Sequence, residues 1–164
     1  MPSPTVHVLE DAPYDGIRRE IESYARQCGY YIIGFASLSQ FRRQSASQDS
    51  IVDAIYDHFD DDPRPVDPSN VPQDQSWDDY ERSPDIARDH AIKVLVGGGP
   101  IGYTVDVMSS ATAGKLFDQF VLLCSENPRF YLGLGLGDQE YVYQHGVLVV
   151  ADRVAGLLWV VESD

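Results

Sequence analysis

Lysine is nearly missing from this 164-residue chain: Lys93 and Lys115 are the only two, and arginine supplies the rest of the 12 basic side chains set against 26 acidic ones. A formal charge of −14 leaves too little cationic surface to neutralise phosphates, which excludes nonspecific nucleic-acid binding by the usual route. Cysteine is scarce as well. Cys28 and Cys124 form no CxxC pair and no Cys/His cluster, so the common zinc signatures are excluded. Both fall on what reads as the apolar face of a helix and are expected to be buried free thiols, with a bridge between them as the alternative. Long apolar runs are lacking too, since no stretch approaches the roughly 20 residues that a membrane helix needs. The start, Met1-Pro2-Ser3-Pro4, has no basic region leading into an apolar segment, so no secretory signal is expected and the location reads as cytoplasmic or within a virion.

What is present is aspartate, which greatly outnumbers glutamate. Aspartate-rich, lysine-poor composition fits proteins of salt-in halophiles or their viruses, in which salt screens the self-repulsion of such a chain. A high-GC mesophile is the alternative source. Hydrophobic residues at 43% and charged residues at 23% place the chain in the globular range, and its length fits one domain over residues 1–164.

Along the chain, Thr5 to Leu9 predicts a short strand. Ile17, Ile21, Tyr24 and Cys28 predict a helix over Asp15–Gln27, with Arg18, Glu22 and Arg26 as an i, i+4 ladder and Gly29 as its cap. Tyr30–Ala36 reads as a buried strand. A helical region follows over Ser39–Phe59; its second half is amphipathic, and its first half is a separate helix or a loop. Residues 60–89 read as a long acidic, proline-rich loop. Ala91–Val96 and Tyr103–Met108 read as strands joined across Gly97–Pro100, and Ser109, Ser110 and Thr112 offer N-caps for a helix over Ala111–Ser125. The last third is strand-like, as an antiparallel meander with a turn at Gly137-Asp138. Together these predict an α+β fold: a mainly antiparallel sheet with about three helices packed on one face and a C-terminal β-meander.

Candidate sites are few. Leu132-Gly-Leu-Gly-Leu-Gly137 lacks both GxGxxG spacing and the Lys-Ser/Thr ending of a phosphate loop, and reads as a strand with leucines on one face and bare glycines on the other. Asp49, Asp53 and Asp57, near His58, present carboxylates one turn apart. Without EF-hand spacing they read as a solvated acidic face with weak cation association at most, and no metal or other cofactor is assigned. His7, His90 and His145 stand without an identifiable nucleophile, so no catalytic residue is assigned. The acidic loop sets Trp77 and Tyr80 among Asp74, Asp78, Asp79 and Glu81. These six are the candidate partner-binding residues, with the aromatics either anchoring a protein partner or tacking the loop onto its own domain.

The resulting expectation is a non-enzymatic protein–protein interaction or assembly protein, such as a homo-oligomeric virion tail or neck component of a halophilic virus or cell. The alternative is an acidic inhibitor or immunity-type protein that neutralises a basic toxin or a nucleic-acid-binding partner. Protein partners or self-association, and not nucleic acid or a membrane span, are expected.

Overall fold

The computed structural model describes residues 4–27, 29–59, 77–97, 107–132 and 142–163. Six strands form one sheet in the order β1-β2-β6-β5-β4-β3, and every neighbouring pair is antiparallel. The strands are β1 (His7–Val8), β2 (Gly29–Ser37), β3 (Glu81–Arg82), β4 (Arg129–Leu132), β5 (Val142–Val150) and β6 (Val154–Ser163). The helices are α1 (Ala12–Glu22), α2 (Ser39–Arg43), α3 (Gln48–Phe59), α4 (Pro84–Val96) and α5 (Ser110–Leu122), with a 3-10 turn at Trp77–Tyr80. The fold is α+β, and β4, β5 and β6 form the expected meander.

The helices lie on both faces of the sheet, which corrects the one-face expectation. On one side α1, α4 and α5 bring Ile17, Ile21, Ala87, Leu95, Phe117 and Phe120 against Ile33, Phe35, Val147, Val149 and Leu158. On the other side α2 and α3 bring Phe41, Ile51, Ile55 and Tyr56 against Leu148, Val150, Leu157 and Trp159. Both faces of β5 and β6 are therefore buried, and the unbroken apolar run Val147–Val150 follows from that, since alternation is needed only where one face meets water. One glycine brings the second layer close to the sheet: the ring of Phe59 on α3 occupies the space where a Cβ on Gly34 would project.

The run Ala91–Val96 is helix, not strand. Ser83 caps α4 by accepting a hydrogen bond from the Ile86 N–H, Pro84 opens its first turn and Asp85 favours that end of the helix dipole. Ala87, Ala91, Val94 and Leu95 then fall on one buried face, so the upstream cap and helical period override the β-like composition of the run. The partner strand expected at Tyr103–Met108 lies mostly outside the described residues, and Val107 and Met108 form a bend. The expected loop over 60–89 is regular from Trp77 onward, while 60–76 lies outside the described residues.

Helix α1 spans Ala12–Glu22 and ends earlier than its apolar spacing predicts, with Ser23 as its C-cap. Gly29 consequently begins β2 and caps nothing. Ser45, at φ 53°, separates α2 from α3, settling that the first half of the second helical region is a helix of its own. Ser109 caps α5 through the Thr112 N–H as expected. Cys28 and the Gly133–Gly137 part of the leucine–glycine run lie outside the described residues.

Candidate functional site

The acidic corner where α3, the 3-10 turn, β3 and β4 meet carries five of the six candidate partner-binding residues; Asp74 lies outside the described residues. Its foundation is Trp77. Asp49 and Asp53, one turn apart on α3, project toward the same neighbour. The Asp49 carboxylate accepts the Trp77 backbone N–H at 2.9 Å, and the Asp53 carboxylate accepts the indole N–H at 2.7 Å. Part of the apparently solvated acidic face of α3 is thus a clamp, while Asp57 stays exposed.

Trp77 is 8% exposed and stacks on Tyr56 with ring centroids 5.2 Å apart; Tyr56 meets Trp159 edge-on at 5.8 Å. Tyr80 packs against the outer side of Trp77 at 5.7 Å and is half-buried. Of the two roles open to the aromatics, Trp77 takes the one of fastening the segment to its own domain. The Tyr56 hydroxyl is buried with no hydrogen-bond partner among the described residues, and burial pushes its pKa up.

Arg129, at the start of β4, organises the charges above this base. It donates to both oxygens of Glu81, at 3.1 and 2.6 Å, and to Asp78 at 3.2 Å, with its guanidinium 5.9 Å from the centre of the Tyr131 ring. The Arg129 hydrogen bonds hold the Glu81 carboxyl below its ordinary pKa. Asp79 remains exposed. A cleft of about 380 Å³ opens beside this network, lined by Asp78, Glu81, Arg82, Ser83, Pro84, Pro128, Arg129 and Phe130.

Several other arginines also have partners within the chain, most of them at the surface. Arg18 and Arg19 both pair with Asp15, and Arg88 forms two bonds with Asp118. Arg42 donates to the carbonyls of Ala151 and Asp152, and Arg82 to those of Asp79 and Glu81. Arg26, expected on an exposed ladder, is instead buried against Glu162 with both side chains 2% exposed, and it also donates to the carbonyls of Val94 and Leu95 at the end of α4. By contrast, among the described residues Asp57, Asp79, Asp85 and Asp89 have no ion-pair partner. Sequence spacing points to none of the Arg129, Asp49, Asp53 or Arg26 roles except through the helical repeat of Asp49 and Asp53.

The structure brings two histidines together: the rings of His90 on α4 and His145 on β5 lie 6.3 Å apart. Burial lowers both pKa values; His145 and Lys93 add to the lowering at His90, and Glu162 opposes it at His145. His7 and His58 are exposed. Cys124 is a buried free thiol whose Sγ donates to the Phe120 carbonyl at 3.5 Å, and burial raises its pKa. Among the described residues no group of three His, Cys, Asp or Glu is placed to hold a metal, and no helix is long and apolar enough to cross a membrane.

No family model, curated protein or solved structure matches this chain.

Proposed function

We propose that this chain is a non-enzymatic protein–protein interaction and assembly protein, and that its acidic corner engages a cationic protein partner. The observation that carries this reading is the unequal use of charge. Seven of the nine arginines among the described residues (18, 19, 26, 42, 82, 88 and 129, but not Arg43 or Arg153) have partners within the chain, whereas Asp79, Asp85 and Asp89 are exposed without ion-pair partners among the described residues. A face built this way attracts basic proteins and repels phosphate backbones.

Ile86 supports the same reading. It is 52% exposed on α4 between Asp85 and Asp89, an apolar contact point within an acidic rim, and buried apolar contacts surrounded by charge are the usual anatomy of an interface. A basic toxin or a nucleic-acid-binding protein has the chemistry to fit. A virion component in a high-salt setting is the assembly context that suits the lysine-poor, aspartate-rich composition.

The test uses an arginine-rich helical peptide as a defined cationic probe, titrated against wild type and the Asp79→Asn, Asp85→Asn, Asp89→Asn triple variant. Wild type should bind it at low salt, lose affinity as salt rises, and bind more tightly than the variant. Equal binding by the two proteins removes Asp79, Asp85 and Asp89, and with them the unpaired charge that motivates this reading, as the site.

A further inference from the structure

The two edges of β2 are covered very differently. Its inner edge pairs with β6 along the entire strand, from Gly29 opposite Glu162 to Ser37 opposite Val154. Its outer edge pairs with β1 only at Ser37 and Ala36, extended by one bond from the Leu9 N–H to the Phe35 carbonyl, before the chain turns away into α1. Among the described residues no strand pairs with Gly29 through Ile33 on that side. In an antiparallel ladder alternate residues direct their N–H and C=O to the same side. Because Phe35 faces outward, so do Ile33, Tyr31 and Gly29.

An open edge of this kind is a template for another strand unless something guards it. The opposite edge of the sheet is guarded: β3 is two residues long and both, Glu81 and Arg82, are charged. The stretch Gly29-Tyr-Tyr-Ile-Ile33 has no charge and no proline, and Tyr30 within it is 53% exposed. Where β1 ends, a groove of about 120 Å³ lies beside the same edge, with Leu9, Tyr14, Ile33 and Phe59 among its walls.

We infer that this edge is a self-association site, at which a second copy of the chain adds its own β2 antiparallel about a two-fold axis through Tyr31. The edge is self-complementary in that register. Gly29 of each copy faces Ile33 of the other, Tyr31 faces its equivalent, and every outward N–H meets a C=O. Tyr30 of each copy then lies across from Ile32 of the other on one face of the sheet, forming an aromatic–β-branched cross-strand pair that covers the exposed ring. An unrelated peptide could use the hydrogen bonds but has no reason to supply that reciprocal pairing. Two copies carrying −14 each repel, so the dimer is favoured as salt rises, opposite to the salt response of the acidic corner. Failure of one reading therefore leaves the other standing.

The test is mass in solution by sedimentation equilibrium from low to molar KCl, with amide hydrogen exchange read at Tyr31 and Ile33. Wild type should dimerise with rising salt, and both amides should become protected as it does. Tyr30→Lys, at an exposed position, should keep the wild-type melting curve and weaken dimerisation by about tenfold or more, a difference of at least about 1.4 kcal/mol. A wild type that stays monomeric at every salt concentration overturns the inference. So does a dimer indifferent to Tyr30→Lys, or protection of both amides in the monomer, which would mean that the chain covers its own edge.

Discussion

Arg26 and Glu162, 136 positions apart, meet as a buried ion pair that ties the segment after α1 to the last strand of the sheet. The same guanidinium donates to the carbonyls of Val94 and Leu95, the groups that the end of α4 leaves without intrahelical partners. One side chain thereby joins the segment after α1 to α4 and β6. Removing it as Arg26→Met takes the guanidinium from a buried carboxylate, and the expected loss is about 3–5 kcal/mol of stability in urea denaturation. Arg26→Met combined with Glu162→Leu should be less destabilised than Arg26→Met alone, because the double change also removes the buried negative charge.

Tyr56 predicts the opposite sign. Its ring is packed between Trp77 and Trp159, but its hydroxyl is buried with no hydrogen-bond partner among the described residues. Leaving such a group without a bond costs about 1–3 kcal/mol. Tyr56→Phe keeps the ring contacts and removes the cost, so it should be neutral or stabilising, by up to about 1 kcal/mol after relaxation. A higher urea midpoint with an unchanged m-value is the expected result, and a loss of more than about 1 kcal/mol would mean that the hydroxyl has a partner.

The His90–His145 pair sets a pH dependence. Burial lowers both folded-state pKa values beneath the unfolded value of about 6.5, so over that interval the unfolded chain binds more protons. Stability is then full above the unfolded value and declines as pH falls through it toward the folded values. Urea midpoints should drop between about pH 7.5 and about pH 5. The drop should shrink in His90→Gln, which removes one titrating ring and the neighbour that disfavours a second charge.

The parts of this fold that local chemistry decides were legible in the sequence: the Ser109 cap, the break between α2 and α3 as an open choice, and the antiparallel strands of the meander, whose expected turn at Gly137-Asp138 lies outside the described residues. The α4 run was not, because Ala91–Val96 satisfies a strand pattern by itself and becomes helical only when the Ser83-Pro84 start and Ala87 are read with it. The second helical layer had a visible mark in the continuous apolar runs of β5 and β6, which a strand with one wet face does not need. At the acidic corner the residues were legible as a group and their geometry was not. Trp77 reaches back 24 positions to Asp53, and Arg129 reaches 48 to Glu81, contacts that no local spacing encodes.

The three aspartates of α3 provide the sharpest comparison, since they share a residue type, a helix and a spacing, and differ in what they touch. Asp53 accepts the Trp77 indole N–H, so Asp53→Ala should cost about 1 kcal/mol, less than the roughly 1.5–3 kcal/mol of a bond to a charged group, because Asp53 is exposed to water. Asp57 is exposed with no such contact among the described residues, so Asp57→Ala should stay within about 0.5 kcal/mol of wild type. Asp49→Ala removes the acceptor of the Trp77 backbone N–H and should resemble Asp53→Ala more than Asp57→Ala. Urea denaturation measures all three, and tryptophan emission gives a second readout. Loosening of Trp77 from its clamp should shift emission to the red before global unfolding in the Asp49 and Asp53 variants and leave it unchanged in Asp57→Ala. Equal behaviour of the three would mean that the face is uniformly solvated and that burial against Tyr56 alone holds Trp77 in place.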